Sequence, residues 1–220
     1  MTLPSVILTD RFQDAVAMAV DLHRYQPRKG TRIPYLCHLL GVSSLVLEGG
    51  GSEDQAIAGL LHDAQEDAGG PATLCLIRDK FGEAVADIVE GCSERYNEQK
   101  LPWLQRKLEY LSRIPTESAS IQLVSSADKI HNARSILTDL NALGDELWGR
   151  FSGGRDGTVW YYRSLSDAFS AGTSPLAPVL EKVVTDLESR AGVSGLGVKP
   201  SDLCCGNPYA YPLPHSEANT

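Results

Sequence analysis

Apolar residues recur at helical spacing along almost the whole of this 220-residue chain, and this periodicity limits its possible folds more than any other feature. Phe12, Ala15, Val16 and Ala19 stand at positions i, i+3, i+4 and i+7, and Asp10 is placed to cap that helix. No alternating run is long enough to make a useful strand, so we predict an all-α helical bundle of roughly eight to ten helices. The remaining helices are predicted over about 35–48, 53–67, 71–80, 82–93, 101–113, 117–139, 158–170 and 175–190.

Short segments rich in glycine and proline separate the predicted helices. The segment 26–34 holds two prolines and a glycine and is predicted to be a loop. Ser52 and Pro71 suit the starts of the helices that follow them. From residue 192 onward Gly, Pro, Ser and Asn dominate, so we expect one domain over 1–191 and a weakly ordered tail over 192–220.

Composition excludes several classes of function. The net charge of −8 argues against a nucleic acid or an anionic membrane as the main partner, since both attract an excess of Lys and Arg. No apolar run approaches the roughly 20 residues that span a bilayer, and the N-terminus lacks the pattern of a signal peptide. The 5 cysteines lack the paired spacing of a metal finger, which favours reduced thiols in a cytoplasmic protein.

One short segment concentrates groups that bind metals or move protons. It ends an apolar helix and contains His62, Asp63, Glu66 and Asp67. Four such groups within six residues are costly to bury unless a cation compensates them. If they were instead a solvated helix end, the acids would be poorly placed, because the helix dipole favours cations there. The segment therefore indicates a functional site.

Two other predicted helices supply matching ligands. His38 lies in the first turn of one, and Asp128 lies inside another with Asn132 one turn later on the same face. Taken singly, each is more often a hydrogen-bonded core residue. Together with His62 and Asp63 they form a mixed set of nitrogen and oxygen ligands. Such a set suits Mn²⁺ or Fe²⁺, whereas a closed zinc site is typically rich in thiolates. Such a set leaves positions open for water and substrate.

Basic residues cluster in the loop before His38 and beside Asp128. Each could be a solvated surface charge. Their concentration next to proposed ligands in an acidic chain favours contact with phosphate. The residues are Arg24, Arg28, Lys29, Arg32 and Lys129.

These residues fall into four blocks of sequence. The blocks are Arg28-Lys29-Gly30 with Pro34-Tyr35-x-x-His38, Leu61-His62-Asp63-x-x-Glu66-Asp67, Phe81-Gly82, and Ala127-Asp128-Lys129-x-x-Asn132. In order and approximate spacing they resemble HD-superfamily metal-dependent phosphohydrolases. The resemblance is closest to the hydrolase domain of RelA/SpoT-type alarmone enzymes and to the stand-alone small alarmone hydrolases of the MESH type. The HD dipeptide alone is a weak signal, whereas the four blocks together are specific.

The resemblance implies a reaction and a set of residues. The reaction is Mn²⁺-dependent removal of the 3′-pyrophosphate from ppGpp or pppGpp, which leaves GDP or GTP. Fe²⁺ or another divalent ion could replace Mn²⁺. The family's metal ligands fall on His38, His62, Asp63 and Asp128, and its acidic catalytic pair falls on Glu66 and Asp67. The expected substrate-binding residues are Arg28, Lys29, Lys129, Asn132 and Tyr161.

Competing interpretations share this scaffold. A (p)ppApp hydrolase, a 5′-nucleotidase or an NADPH phosphatase would use the same metal ligands with a different pocket. A non-catalytic nucleotide-binding module would be expected to lack some ligands or the acidic pair, and here all of them are present. The sequence leaves the oligomeric state, the native metal and the role of the tail open.

Overall fold

The computed structural model describes residues 6–93, 101–198 and 200–203. Within these residues all regular structure is helical, which confirms the predicted all-α class. The α-helices are α1 (Asp10–Leu22), α2 (Leu36–Glu48), α3 (Glu53–Leu61), α4 (Ala64–Asp67), α5 (Pro71–Phe81), α6 (Glu83–Cys92), α7 (Trp103–Arg113), α8 (Ala119–Leu143), α9 (Gly154–Ser170), α10 (Ala177–Ala191) and α11 (Pro200–Leu203). Short 3-10 segments span Ile114–Thr116, Gly144–Arg150 and Gly195–Gly197.

Local capping chemistry determines where several helices start. Ser52 and Gln55 form a reciprocal capping box at α3, and Pro71 is the first residue of α5, as predicted. The expectation that Asp10 caps α1 is wrong by one residue. The cap is Thr9, which has extended backbone angles and whose hydroxyl accepts from the backbone N–H of Arg11.

The helix predicted over 53–67 is interrupted at His62 and Asp63. The α3 helix ends at Leu61 and α4 begins at Ala64, while Asp63 has backbone angles of φ −96° and ψ −2°. The carboxylate of Asp63 is held from outside the helix by the hydroxyl of Tyr35. Apolar spacing alone carries no sign of such a tertiary contact, so the sequence predicted one continuous helix.

The glycines that follow the 3-10 segment Gly144–Arg150 lie at the start of α9, and one of them allows a close helix contact. The helix predicted over 158–170 begins already at Gly154, so residues 154–157, which the sequence analysis left outside a helix, are helical. A Cβ placed at Gly157 would lie 3.3 Å from the indole ring of Trp103 on α7. The glycine therefore allows α7 and α9 to approach closely.

The long helix α8 is the centre of the bundle and packs against α2, α3, α6, α9 and α10. Leu39, Leu61 and Ile130 are fully buried, and each is next in sequence or nearly so to a candidate ligand. Burial of such a side chain contributes about 1.5–3 kcal/mol. The core thus fixes α2, the end of α3 and α8 relative to one another.

The C-terminal part that is described continues the bundle. The 3-10 segment Gly195–Gly197 contacts α9, and the backbone N–H of Gly195 donates to Glu188 Oε1 at 2.7 Å. Of the tail predicted over 192–220, residues 204–220 lie outside the described part, so the domain division stays a prediction. In the described residues, no helix has the length and apolar character needed to cross a bilayer.

Candidate metal centre

Four candidate ligands from three parts of the chain converge at one point. The His38 Nε2 atom lies 3.2 Å from Asp128 Oδ1 and 3.6 Å from Asp63 Oδ2. The His62 Nε2 atom lies 2.9 Å from Asp63 Oδ2 and 3.7 Å from Asp128 Oδ1. His38, His62 and Asp128 are buried, and their ligand atoms lie within 4.8 Å of one another. The helices α2 and α8 and the junction of α3 with α4 therefore build one cluster, which we call the metal centre.

The orientation of His62 suits a cation. Its Nδ1–H donates to the carbonyl oxygen of Gly59 at 2.9 Å, which leaves Nε2 as the nitrogen that faces the cluster and would coordinate a cation in place of a proton. Among the described residues this buried Nε2 finds no hydrogen-bond partner, although Asp63 is near it. An unsatisfied buried polar atom costs about 1–3 kcal/mol. Coordination to a metal would remove that cost, so the donor set fits a divalent ion.

The electrostatics of the metal centre also call for positive charge. Burial alone would lower the pKa of His62, but the carboxylates of Asp63 and Asp128 outweigh it and hold that pKa well above its ordinary value. Burial opposes ionisation of Asp63, yet His62 and His38 hold its pKa far below the ordinary value. The cluster thus keeps its carboxylates charged and attracts a cation.

Neighbouring side chains fix the two carboxylates in place. The hydroxyl of Tyr35 donates to Asp63 Oδ2. On α8, Lys129 Nζ donates to Asp128 Oδ2 at 2.6 Å, and Asn132 Nδ2 donates to Asp128 Oδ1. Such partners orient metal ligands. Lys129 and Asn132, predicted to bind substrate, are therefore also partners of a candidate ligand, Asp128.

The acidic pair lies at the rim of the metal centre. Glu66 and Asp67 are exposed on α4, one turn beyond the candidate ligand Asp63. Gln26 Nε2 donates to Asp67 Oδ2 at 2.7 Å, while Gln26 Oε1 is 2.7 Å from Nδ1 of the buried His23. Gln26 therefore links Asp67 to the end of α1. Sequence reasoning missed Gln26, since its role depends on a contact with a residue far away in the chain.

The loop 26–34 is a tight hairpin that carries Arg28 to the metal centre. The backbone N–H of Arg28 donates to Ile33 O at 2.8 Å, and Pro27 and Pro34 form an isolated antiparallel bridge. The guanidinium of Arg28 donates from Nη2 to Asn132 Oδ1 at 2.9 Å. The hairpin thus brings a predicted phosphate-binding residue against α8.

Arg28 also contacts His131 of α8, which the sequence analysis did not predict as a site residue. The Nδ1 atom of His131 lies 2.9 Å from His38 Nδ1 and 3.1 Å from Arg28 Nη1. Burial, followed by the neighbouring His38 and the positive charge of Arg28, lowers the pKa of His131 to about 4. His131 is therefore neutral at pH 7. In sequence it lies between two predicted site residues, but only the fold brings it to His38.

The other basic residues of the loop have different surroundings. Lys29 and Arg32 are exposed, and Arg24 pairs with Asp21 at the end of α1. Lys129 is half-buried, and its ammonium lies 4.9 Å from the ring centroid of Tyr110. Burial alone would lower the pKa of Lys129, but Asp128 outweighs it and holds that pKa well above its ordinary value.

Tyr161 lies in an aromatic contact between α7 and α9. Its ring is buried, 6.4 Å from that of Trp103, and Lys107 Nζ lies 4.7 Å from its centroid. The predicted role of Tyr161 in nucleotide binding stays a prediction. In the structure, this ring contacts Trp103 and Lys107 of α7.

Comparison with known proteins assigns the fold to a family. Residues 15–159 match the sequence profile of the HD domain. This chain belongs to the HD-domain family. The HD domain is 36% identical over 126 residues to MESH1 of Xenopus tropicalis, a match that covers 56% of this chain and 68% of that protein. It is 35% identical over 138 residues to MESH1 of Homo sapiens, covering 61% of this chain and 72% of that protein.

Solved structures share the helical architecture. One, described as a metazoan orthologue of SpoT, has a TM-score of 0.65 at 22% identity and covers 88% of this chain and 99% of its own. Another, from Listeria monocytogenes, has a TM-score of 0.60 at 29% identity and covers 70% of this chain and 97% of its own. The fold of this HD domain is therefore found in proteins with little sequence identity to it.

In this HD domain the predicted ligands come together more completely than the predicted substrate residues. His38, His62, Asp63 and Asp128 share one centre. Arg28 and Asn132 are hydrogen-bonded to each other beside it. Assignment of individual roles at this site stays a prediction, which the proposal below takes up.

Proposed function

We propose that this HD domain removes the 3′-pyrophosphate from ppGpp and pppGpp in a reaction that depends on a divalent cation. The observation that carries the proposal is the convergence of two histidines and two aspartates on one point. One of their atoms, the buried Nε2 of His62, finds no hydrogen-bond partner among the described residues. The MESH1 relatives are named guanosine-3′,5′-bis(diphosphate) 3′-pyrophosphohydrolases, which supports this choice of substrate. The products would be GDP or GTP and pyrophosphate.

His38, His62, Asp63 and Asp128 would hold the cation. Their nitrogen and oxygen atoms suit Mn²⁺, with Fe²⁺ or another divalent ion as the alternatives. When bound, the ion supplies a lower pKa for a coordinated water and positive charge near a phosphoryl oxygen. Tyr35, through its hydrogen bond to Asp63, keeps that carboxylate in the orientation for binding.

Glu66 and Asp67 would handle protons and orient the attacking water. Both lie on α4 and are exposed beside the ligand Asp63, on a face that a substrate can reach. Water adds to the phosphorus attached to the 3′-oxygen, the bond from that phosphorus to the 3′-oxygen breaks, and the 3′-oxygen receives a proton. General acid–base groups of this kind contribute roughly 10²- to 10⁴-fold.

Arg28, Lys29 and Lys129 would offset the charge that grows on the leaving pyrophosphate. Arg28 uses two of its guanidinium nitrogens on α8, and its planar fork has five N–H donors in all. Lys29 is exposed at the next position of the hairpin. Asn132 and Tyr161 are assigned to the nucleotide.

The setting we propose is the cytoplasm, with a small nucleotide as substrate. Cys37, Cys75 and Cys92 form no disulfide within the described part of the chain. The net charge of −8 makes nucleic acid and anionic membranes unfavourable partners.

Product analysis over a panel of substrates tests this function. The protein with Mn²⁺ is incubated with ppGpp, ppApp, a deoxynucleoside monophosphate and NADPH, and pyrophosphate and orthophosphate are measured separately. We expect pyrophosphate and GDP from ppGpp. Orthophosphate from NADPH or the monophosphate alone would contradict the proposal, as would tight binding of ppGpp that leaves it intact.

A further inference from the structure

Three side chains meet at a single atom, Nδ1 of His131. His38 Nδ1 approaches it to 2.9 Å from α2, and Arg28 Nη1 approaches it to 3.1 Å from the hairpin 26–34. We propose that His131 is a positioning residue that fixes the proton of His38 on Nδ1, so that Nε2 offers its lone pair to the cation, and that Arg28 enforces this arrangement. The inference rests on the cation site of the proposed function.

With a neutral imidazole at His38, as a metal ligand must be, the hydrogen count at this atom leaves one arrangement. An arginine has only donors, so the contact with Arg28 requires a lone pair on Nδ1 of His131. With no hydrogen there, the contact between the two imidazoles requires a hydrogen on Nδ1 of His38. A neutral imidazole carries one N–H, so Nε2 of His38 is then bare. That atom lies 3.2 Å from Asp128 Oδ1, inside the metal centre.

The fold makes room for this contact. A Cβ at position 41 would lie 2.3 Å from both Cδ2 and Nε2 of His131, so Gly41 on α2 is needed for the imidazole to fit. The ring centroids of His38 and His131 are 4.9 Å apart. A larger residue at position 41 would push α8 away and open the hydrogen bond.

Arg28 reaches a second ligand through a second partner. Its Nη2 donates to Asn132 Oδ1, and Asn132 Nδ2 donates to Asp128 Oδ1. One guanidinium therefore supports one histidine ligand through His131 and one aspartate ligand through Asn132. A residue assigned to phosphate binding also completes the cation site before substrate arrives.

Two substitutions of His131 separate the effect of losing its hydrogen-bond acceptor from the effect of changing the size of its side chain. In H131N the amide Oδ1 takes the place of Nδ1 and accepts both donors, whereas H131L has nearly the shape of asparagine without an acceptor. Mn²⁺ binding is measured by the electron paramagnetic resonance signal of free Mn²⁺, with full-length protein and no nucleotide. Outer-shell partners contribute about 10- to 100-fold to metal affinity, so H131L should lose that much and H131N no more than about threefold.

A second pair of variants, R28M and K29M, tests the role of Arg28 by whether Mn²⁺ affinity rises or falls. R28M and K29M each remove one positive charge, and by charge alone each should bind Mn²⁺ more tightly. The inference predicts weaker binding for R28M and no weakening for K29M. Should H131L fail to fold in circular dichroism melts, this pair decides the question.

The outcomes distinguish the inference from the proposed function. Wild-type protein that binds no Mn²⁺ would overturn both. Wild-type binding with equal affinities for H131L and H131N, or with R28M as tight as K29M, would overturn the role of His131 and Arg28 and leave the proposed reaction standing.

Discussion

Within the described residues, two clusters of charged side chains differ in whether their members satisfy one another's charges and hydrogen bonds. In the first, which we call the arginine cluster, Arg163 of α9 donates to Glu181 at 2.7 Å and also to Glu188, both on α10. Ser166 and the backbone N–H of Gly195 donate to the same two carboxylates. Each charged group there has opposite charge and hydrogen bonds around it.

The metal centre has a different balance. Two aspartates and two histidines point at one place, and within the described residues the buried Nε2 of His62 has no hydrogen-bond partner. Lys129 offsets part of the charge of Asp128 from the outer side. The comparison teaches that a buried charged group does not by itself mark a site, because Arg163 is buried and its charge and hydrogen bonds are satisfied. An incomplete cluster whose ligand atoms share a focus does mark one.

The largest expected effect comes from removing a ligand. D63A should lower Mn²⁺ affinity by more than about 100-fold and abolish turnover, since even outer-shell partners contribute about 10- to 100-fold. The matched control is D67A, which removes a carboxylate from the same short helix but should keep the metal. Isothermal titration with Mn²⁺ measures both, and Mn²⁺-dependent activity retained by D63A would refute the ligand assignment.

Removal of the acidic group at the rim should affect the chemistry alone. E66Q should lower kcat by about 10²- to 10⁴-fold, because a carboxylate that takes a proton is replaced by an amide that cannot. Steady-state release of pyrophosphate and Mn²⁺ titration are measured on the same sample. Loss of the metal in E66Q would mean that Glu66 is a ligand.

A smaller effect is expected at Tyr35. Y35F removes the hydroxyl that donates to Asp63 and keeps the ring. We expect Mn²⁺ affinity to fall by about 10-fold, the lower end of the outer-shell range. Y25F serves as the control, since Tyr25 is 92% exposed and should leave the affinity unchanged. Equal affinities for Y35F and wild type would show that Asp63 needs no such support.

The arginine cluster should respond in stability and not in metal binding. R163M leaves two carboxylates facing each other and should lower the free energy of unfolding by about 2–4 kcal/mol, with the value limited by the exposure of Glu181. E181Q, which removes the more exposed partner, should cost about 1 kcal/mol or less. Urea unfolding gives both values. A change in the Mn²⁺ affinity of R163M would contradict the separation of the two clusters.

The sequence predicted which candidate ligands the fold brings together, because their chemistry is visible in the residue types themselves. His62 and Asp63 at the end of an apolar helix, with Asp128 inside another, are costly to bury without a purpose. His131, Gln26 and the break before Ala64 were not predicted. Each depends on a contact across the fold, such as the approach of α2 to α8 at Gly41, and periodicity carries no information about such contacts.

The most direct test of the account is a crystal structure of the wild-type protein grown with saturating Mn²⁺, with anomalous scattering recorded at the manganese edge. The account predicts one peak bounded by Nε2 of His38, Nε2 of His62 and the carboxylates of Asp63 and Asp128, and none at Arg163. Absence of a peak at that point, or a peak held by other residues, would contradict it.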